Sequence, residues 1–176
     1  PARRGPLSRA VAAAYDFSGT HLLIDVGAGA GDLIAAILQA NPTLRGVVFD
    51  LPYILDDARA LVEAEGVGAR CDVVAGDFFA SVPTGGDTYI LRSVIHDWDD
   101  ARSMSILRNC RKAMTSGDRL IILDRQLPEL GQPGTPEIFL IDLEMLVMSD
   151  GGRERTREEF AKLLSGAAFK LAIAAA

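Results

Sequence analysis

Residues 21–40 read His-Leu-Leu-Ile-Asp-Val-Gly-Ala-Gly-Ala-Gly-Asp-Leu-Ile-Ala-Ala-Ile-Leu-Gln-Ala, and this stretch decides the fold. The apolar run His21–Val26 predicts a buried strand. The glycines of Gly27–Gly31 allow a tight turn and let a ligand approach the main chain closely. Asp32–Ala40 then predicts a helix, because its large apolar side chains recur at the helical period. A strand, a glycine loop and a helix in this order are typical of an open α/β sheet that binds a ligand at its strand ends.

Short β-branched runs alternate with longer amphipathic ones along the next hundred residues. The predicted strands are His21–Val26, Gly46–Asp50, Cys71–Ala75, Thr88–Ser93 and Arg119–Asp124. The predicted helices between them are Asp32–Ala40, Pro52–Glu65 and Asp99–Met114. This alternation predicts an α/β fold with a mostly parallel, doubly wound sheet and helices on both faces.

The pattern changes after Asp124. We expect a loop over Leu127–Pro136, a helix over Glu137–Ser149, a break at 150–152, a helix over Phe160–Leu164 and a sixth strand over Phe169–Ile173. Thr156 and Glu159 have the spacing of a capping box. They therefore mark the beginning of the last helix.

Composition excludes several classes of function. The chain has 176 residues, enough for one domain, and its net charge of −6 argues against a nucleic-acid partner. No apolar stretch is long enough to cross a bilayer, and the first residues do not resemble a signal peptide. Cys71 and Cys110 lack the spacing of a metal site, so we expect packed, reduced thiols in a cytoplasmic protein.

Acidic residues stand at or near the ends of three successive predicted strands, at Asp25, Asp50 and Asp77. The glycine spacing differs from the dinucleotide pattern, and Asp25 would repel a pyrophosphate. A ligand with a sulfonium and an amino group would tolerate that charge. Asp50 is suited to ribose hydroxyls, and Asp77 lies where an adenine edge would lie. The alternative is that these acids only cap helices.

Five ordered motifs carry a resemblance to a known family. They are residues 24–31 (IDVGAGAG), 49–52 (FDLP), 76–79 (GDFF), 89–100 (YILRSVIHDWDD) and 151–156 (GGRERT). Together they resemble the plant caffeic-acid and flavonoid O-methyltransferases and their bacterial relatives in antibiotic and pigment biosynthesis. The resemblance extends from Tyr15 to Phe169. Ala28 stands where the family usually has Gly, and Arg92 where it usually has Lys.

The resemblance implies a Rossmann-like methyltransferase fold and S-adenosylmethionine as the methyl donor. It places the donor on Gly27, Asp50, Leu51, Asp77, Phe78 and Arg92, and the loop pattern adds Asp25 and Gly29. It implies that His96 is the general base, that Asp124 and Glu154 hold this base, and that Met145 borders an aromatic acceptor. We add Trp98 and Ser149 as acceptor-side candidates.

The chemistry of methyl transfer to a phenol is consistent with these roles. A phenol has a pKa of about 10 and is a poor nucleophile until its proton is removed. A histidine, with a pKa of about 6.5, is suited to remove that proton. Carboxylates beside the imidazole orient it and stabilise its cation. No metal is expected, because the chain has only two histidines.

Several alternatives remain open for the same residues. His96 could be a surface or capping residue, Asp97 a helix-start acid, and Trp98 part of the core. Asp124 could cap a strand end, Glu154 could lie on the surface, and Met145 and Met148 could be core. The whole chain could be a repurposed or non-catalytic S-adenosylmethionine binder, or a nicotinamide-dependent oxidoreductase.

The resemblance also carries an expectation about domains. We expect residues 1–176 to form the donor-binding catalytic domain, without the N-terminal dimerisation domain that the family usually has. We expect the family's last antiparallel strand to be missing from the chain. The full-length protein is expected to be a homodimer that acts on a small aromatic substrate, with no nucleic-acid or membrane partner.

Overall fold

All five predicted strands form one sheet in the computed structural model, which describes residues 4–149 and 151–172. The strands are β1 (Leu22–Val26), β2 (Arg45–Asp50), β3 (Cys71–Ala75), β4 (Thr88–Arg92) and β5 (Arg119–Leu123). They lie in the order β3-β2-β1-β4-β5, and each neighbouring pair is parallel. The order reverses direction between β1 and β4, which is where an open α/β sheet forms a ligand-binding crevice beyond its carboxyl ends.

Six α-helices surround the sheet in the described residues. They are α1 (Arg4–Ala14), α2 (Asp32–Ala40), α3 (Leu55–Ala64), α4 (Asp100–Ala113), α5 (Pro136–Met148) and α6 (Arg157–Gly166). Side chains of α1, α2 and α3 share one buried cluster, whereas those of α4 and α6 share a second cluster that includes Tyr89 and Leu91 of β4. The doubly wound α/β fold is therefore confirmed.

Helix boundaries agree closely with the sequence, with three differences. The predicted helix over Pro52–Glu65 begins with a 3₁₀ turn, Pro52–Ile54, before α3. The last helix begins at Arg157 rather than Phe160, because Thr156 is the N-cap and Glu159 is already its third residue, in a complete capping box. Helix α1 has no counterpart among the predicted elements.

The predicted sixth strand over Phe169–Ile173 is wrong for its described residues, which form no strand; Ile173 lies outside the described residues. The chain turns at Ala168, where φ is +60°, and the Phe169 N–H donates to the Leu164 carbonyl at 2.8 Å. The Phe169 side chain then packs into the cluster under α4 and α6. The described residues after α6 therefore have a helix-ending turn and a packed aromatic side chain where a strand was predicted.

A pair of short strands lies where only a loop and a turn were predicted. β6 (Gln126–Leu127) pairs in parallel with β7 (Arg155–Thr156). The predicted break at 150–152 is described only at Gly151 and Gly152, because Asp150 lies outside the described residues. Strand β6 follows Asp124 and β7 follows Glu154, so this pairing brings two predicted site acids side by side.

Both cysteines are buried free thiols, as predicted. Burial raises the pKa of Cys71 to about 11 and that of Cys110 to about 12. Across residues 4–149 and 151–172, no helix is both long and apolar enough to span a membrane.

Gly46 of β2 lies under helix α2, and its substitution tests how tightly the two are packed. A Cβ at this position would lie 2.7 Å from Ile34 Cδ1 and 3.1 Å from Leu38 Cδ1. Because this core is closely packed, we expect Gly46→Ala to lower the free energy of unfolding by about 1–3 kcal/mol. Gly19→Ala is the control, since its Cβ would lie 3.6 Å from Arg119 Nη2. Equal urea midpoints for the two variants would contradict this packing.

Candidate active site

The glycine loop between β1 and α2 is shaped to accept a ligand against its main chain. Gly27, Gly29 and Gly31 have φ values of +72°, +58° and +79°, a region that side chains other than glycine rarely adopt. A Cβ on Gly27 would lie 2.9 Å from Val94 Cγ2, whereas one on Gly29 would meet nothing within 4 Å. The loop is therefore tight at Gly27 and open at Gly29.

Asp50 is held beside this loop by two backbone groups. Its Oδ2 accepts the Gly29 N–H at 2.7 Å, and its Oδ1 accepts the Leu51 N–H at 2.7 Å. Each oxygen keeps a further lone pair, so the carboxylate can still accept ligand hydroxyls. The structure thus brings together Gly29, Asp50 and Leu51, as the sequence predicted.

Asp25 is a buried acid without a hydrogen-bond partner. Asp25 is the last residue but one of β1, and only 1% of it is exposed. Among the described residues, neither of its carboxylate oxygens has a hydrogen-bond partner. Burial raises the pKa of Asp25 to about 7, against the opposing charge of Arg92. A buried acid left in this state costs stability, and a cationic group bound nearby would relieve that cost.

Arg92 has a partner that sequence analysis missed. Its Nη2 donates to Asp32 Oδ1 at 2.7 Å, and its Nη1 donates to Asp32 Oδ2 at 3.1 Å and to Ser8 Oγ at 2.8 Å. Asp32 is the first residue of α2, directly after the glycine loop. The guanidinium therefore ties the end of β4 to the beginning of α2 and to α1.

An aromatic group borders the loop after β3. Asp77 itself is exposed, and its Oδ1 accepts the Phe79 N–H at 2.8 Å. The ring centroid of Trp98 lies 4.8 Å from that of Phe79 and 6.2 Å from that of Phe78. Both pairs pack edge-to-face. Phe78 also reaches within 3.4 Å of the place where a Gly27 Cβ would be. Phe78 and Trp98 therefore form one aromatic wall beside the glycine loop.

His96 lies in a 3₁₀ turn, Ile95–Asp97, directly beyond β4, and is buried. Its Nδ1 lies 3.0 Å from Glu154 Oε1. An ionised carboxylate can only accept a hydrogen bond, so Nδ1 carries the proton and the lone pair of the neutral ring lies on Nε2. Glu154 is 1% exposed, which excludes the alternative that it is a surface acid.

Asp124 contacts the main chain of this turn rather than the imidazole ring. Its Oδ2 accepts the His96 N–H at 3.2 Å, and its Oδ1 is buried without a partner. Burial raises the pKa of Asp124 to about 6, while the charge of His96 opposes this shift. Asp124 therefore anchors the turn Ile95–Asp97, which we call the base turn because it carries the candidate base His96, and it places a carboxylate near the ring.

Burial and charge compete at His96. Burial lowers the pKa of the imidazole, but the hydrogen bond to Glu154 and the charges of Asp124, Glu154 and Asp97 outweigh it, and the pKa is raised above 6.5. Asp97 was the residue that sequence analysis set aside as a helix-start acid. Its Oδ1 lies 3.5 Å from His96 Nε2, and α4 begins instead at Asp100 with Asp99 as its N-cap.

Three consecutive residues hold the base turn from the opposite side. The Arg153 N–H donates to the His96 carbonyl at 2.8 Å, and Glu154 binds the ring. Arg155 has 0% exposure and donates to the carbonyls of Ile95 and Trp98 at 2.9 and 2.7 Å. We call residues 153–155 the clamp. The pairing of β6 with β7 fixes its position, and no pattern in the sequence announced the role of Arg155.

Helix α5 approaches the base turn at its C-terminal end. Ser149 Oγ donates to the Met145 carbonyl at 2.6 Å, and a Cβ on Gly152 would meet both Ser149 Oγ and the His96 carbonyl. Met145 and Ser149 are partly exposed, while Met148 is 74% exposed and is not a core residue. Within the described ranges, no group of three or more metal-ligating side chains lies close enough to hold a metal ion.

Residues 6–170 match the family model of the O-methyltransferase domain. Phenazine O-methyltransferase PhzM of Lysobacter antibioticus is 46% identical over 165 residues, which are 94% of this chain and 48% of that protein. Caffeic acid 3-O-methyltransferase of Zinnia elegans is 38% identical over 156 residues, 88% of this chain and 42% of that protein. The chain belongs to the O-methyltransferase family, and it spans about half the length of the curated relatives it matches.

Solved structures agree with this assignment. The structure of mitomycin 7-O-methyltransferase MmcR has a TM-score of 0.92 and 38% identity, over 96% of this chain and 49% of that one. NcsB1, an O-methyltransferase of neocarzinostatin biosynthesis, was solved with S-adenosylmethionine and 2-hydroxy-5-methyl naphthoic acid; it has a TM-score of 0.84 and 31% identity, over 98% of this chain and 53% of that one. The predicted Rossmann-like methyltransferase fold and family are confirmed.

The unpartnered carboxyl of Asp25 predicts an unusual dependence of stability on pH. Because the folded pKa, about 7, exceeds the ordinary value of 3.8, the folded protein binds the extra proton between these values, and the free energy of unfolding falls as pH rises through this window. We expect Asp25→Asn to remove up to about 4 kcal/mol of this fall. Urea unfolding at several pH values measures it, with exposed Asp57→Asn as control. Parallel stability profiles for wild type and Asp25→Asn would exclude a raised pKa.

Proposed function

We propose that the protein transfers a methyl group from S-adenosylmethionine to a hydroxyl of a small aromatic molecule, with His96 as general base. One observation carries the proposal. The buried Glu154 binds His96 Nδ1, which leaves the lone pair of Nε2 available at the carboxyl end of the sheet. The donor loop begins at the end of the neighbouring strand β1.

The residues around the glycine loop fit the donor. Gly29 offers open space beside the main chain, Asp50 can accept two ribose hydroxyls, and Asp25 offers an unpartnered carboxylate to a cation. Leu51, Asp77 and Phe78 lie on the two loops next to this cradle. When bound, S-adenosylmethionine supplies a methyl group that its sulfonium has already activated.

The His96 ring removes the proton that makes a phenol unreactive. The phenolic O–H would donate toward Nε2 and pass its proton there as the phenolic oxygen bonds to the methyl carbon; the bond from that carbon to sulfur would break and leave S-adenosylhomocysteine. The carboxylates of Glu154, Asp124 and Asp97 then stabilise the imidazolium. Keeping this arrangement argues against a repurposed or non-catalytic homologue, since such a protein has no use for an oriented base.

The acceptor is proposed to bind beside His96, near the C-terminal end of α5. Trp98 supplies an aromatic face. Met145 lies in the last turn of α5, and Ser149 follows that helix as its C-cap. Aromatic and thioether groups suit a flat ring. The bound naphthoic acid of NcsB1 has this chemistry. We therefore propose phenolic or polyketide-like acceptors.

The same proposal covers the setting of the reaction. We propose that residues 1–176 form the donor-binding catalytic domain, that the complete protein is a homodimer, and that it acts in the cytoplasm without a nucleic-acid or membrane partner. Its net charge of −6 supports the absence of a nucleic-acid partner.

Replacing the base tests the mechanism. We expect His96→Gln to lower kcat by about 10²–10⁴-fold, while the Kd of the donor stays unchanged because other residues bind it. The loss should shrink for acceptors with more acidic hydroxyls, which need less help to ionise. Turnover at saturating donor, measured across phenols of graded acidity, checks both points. A near wild-type rate on a weakly acidic phenol would leave only proximity to explain catalysis.

Replacing the ribose acid tests the donor site. We expect Asp50→Ala to weaken donor binding by about 1–3 kcal/mol, because a charged acceptor of hydrogen bonds is lost. Isothermal titration with S-adenosylhomocysteine measures it. Asp57→Ala, which removes an exposed acid of α3, is the matched control. Equal affinities in the two variants would remove Asp50 from the donor site.

A further inference from the structure

Helix α5 makes a direct hydrogen bond to the residue that orients the base. Asp142 Oδ1, in the middle of α5, accepts the Glu154 N–H at 2.9 Å. Glu154 in turn contacts His96 Nδ1 at 3.0 Å. Two short contacts therefore connect α5 to the imidazole ring.

Much of α5 away from Asp142 is exposed in the described structure. Its large apolar side chains Leu140, Leu143 and Leu146 are exposed. Met145 of α5 and Ser149, the C-cap of this helix, are nevertheless the proposed contacts of the aromatic substrate. Within the described residues, the Asp142 hydrogen bond is the one side-chain bond that α5 makes to another segment.

Glu154 needs such an anchor. Its Oε1 binds His96, but its Oε2 is buried without a partner, so no second contact fixes the carboxylate. The position of its main chain therefore sets where the side chain begins. A carboxylate that accepts an N–H makes a strong, charge-assisted bond, which suits Asp142 to this task.

We propose that Asp142 is a positioning residue that couples the acceptor side of the pocket to the general base. A methyl-accepting substrate that packs against α5 fixes the position of Asp142. Asp142 in turn fixes the positions of Glu154 and of the His96 ring. This inference rests on the proposed function. It adds to the site a residue of α5, which lies outside both the glycine loop and the base turn.

The test uses three substitutions at one position, in the complete protein. Asp142→Ala removes the acceptor of the Glu154 N–H. Asp142→Glu keeps the charge but is longer by one methylene, which displaces the Glu154 main chain. Asp142→Asn keeps an oxygen in place. Glu144→Ala, which removes an exposed acid of the same helix, is the matched control.

We expect the Ala and Glu variants to lose on the order of tenfold to hundredfold in kcat and the Asn variant to recover most of it, with donor Kd unchanged throughout. The pH profile of kcat separates positioning from a merely structural role. Three acids act on the pKa of His96: Glu154 of the clamp, Asp124 at the end of β5, and Asp97 in the same turn as His96. Loosening Glu154 lowers the pKa of His96, so the acidic limb moves to lower pH.

Each outcome decides the inference. A wild-type acidic limb in both the Ala and Glu variants overturns it, whatever happens to kcat. If the Ala variant does not fold, the Glu variant decides by the same criterion, and the Asn variant is its reference because it keeps an oxygen in place. If His96→Gln loses activity while Asp142→Glu keeps the wild-type kcat and acidic limb, the inference about Asp142 is overturned and the proposed function stands. A near wild-type rate of His96→Gln on a weakly acidic phenol overturns the proposed function itself.

Discussion

The parallel direction of all five strands is the constraint on which the candidate site depends. Because each strand ends at the same edge, residues that lie far apart in the sequence meet there. Asp25 lies near the end of β1, just before the glycine loop; Asp50 is the last residue of β2, and Asp124 directly follows β5. His96 stands one turn beyond β4, beside the point where the strand order reverses. The sheet thereby brings the glycine loop, Asp50 and the turn that carries His96 to one edge.

Glu154, the acid that contacts His96 Nδ1, lies outside the five-stranded sheet, so a second structural feature must position it. Glu154 lies in the clamp, which the pairing of β6 with β7 holds next to Asp124. The buried Arg155 then fastens the base turn by its carbonyls and meets Asp100 at 2.9 Å. Since Asp100 is more than half exposed, this ion pair contributes less than the carbonyl contacts do. Geometry at His96 therefore depends on main-chain hydrogen bonds more than on surface charge.

Periodicity predicted the five strands and most helix boundaries, because buried strands and amphipathic helices leave regular patterns of apolar residues. It failed at β6 and β7, which have two residues each and no period to detect. Motif resemblance found His96 and Glu154, but it could not tell that Asp124 would bind a backbone N–H or that Asp32 would bind Arg92. Asp142 and Arg155 contact residues that lie far away in the chain, and one sequence does not display such contacts.

The contact between Glu154 and His96 is the central claim, and nuclear magnetic resonance of the imidazole nitrogens tests it most directly. His21 is the only other histidine, so its replacement assigns the signals. In the wild-type protein, the neutral His96 ring should carry its proton on Nδ1 and titrate above the ordinary pKa of 6.5. In Glu154→Gln, the pKa should fall, because a charge and a charge-assisted hydrogen bond are lost. A proton on Nε2 in the wild type, or an unchanged pKa in the variant, would contradict the account.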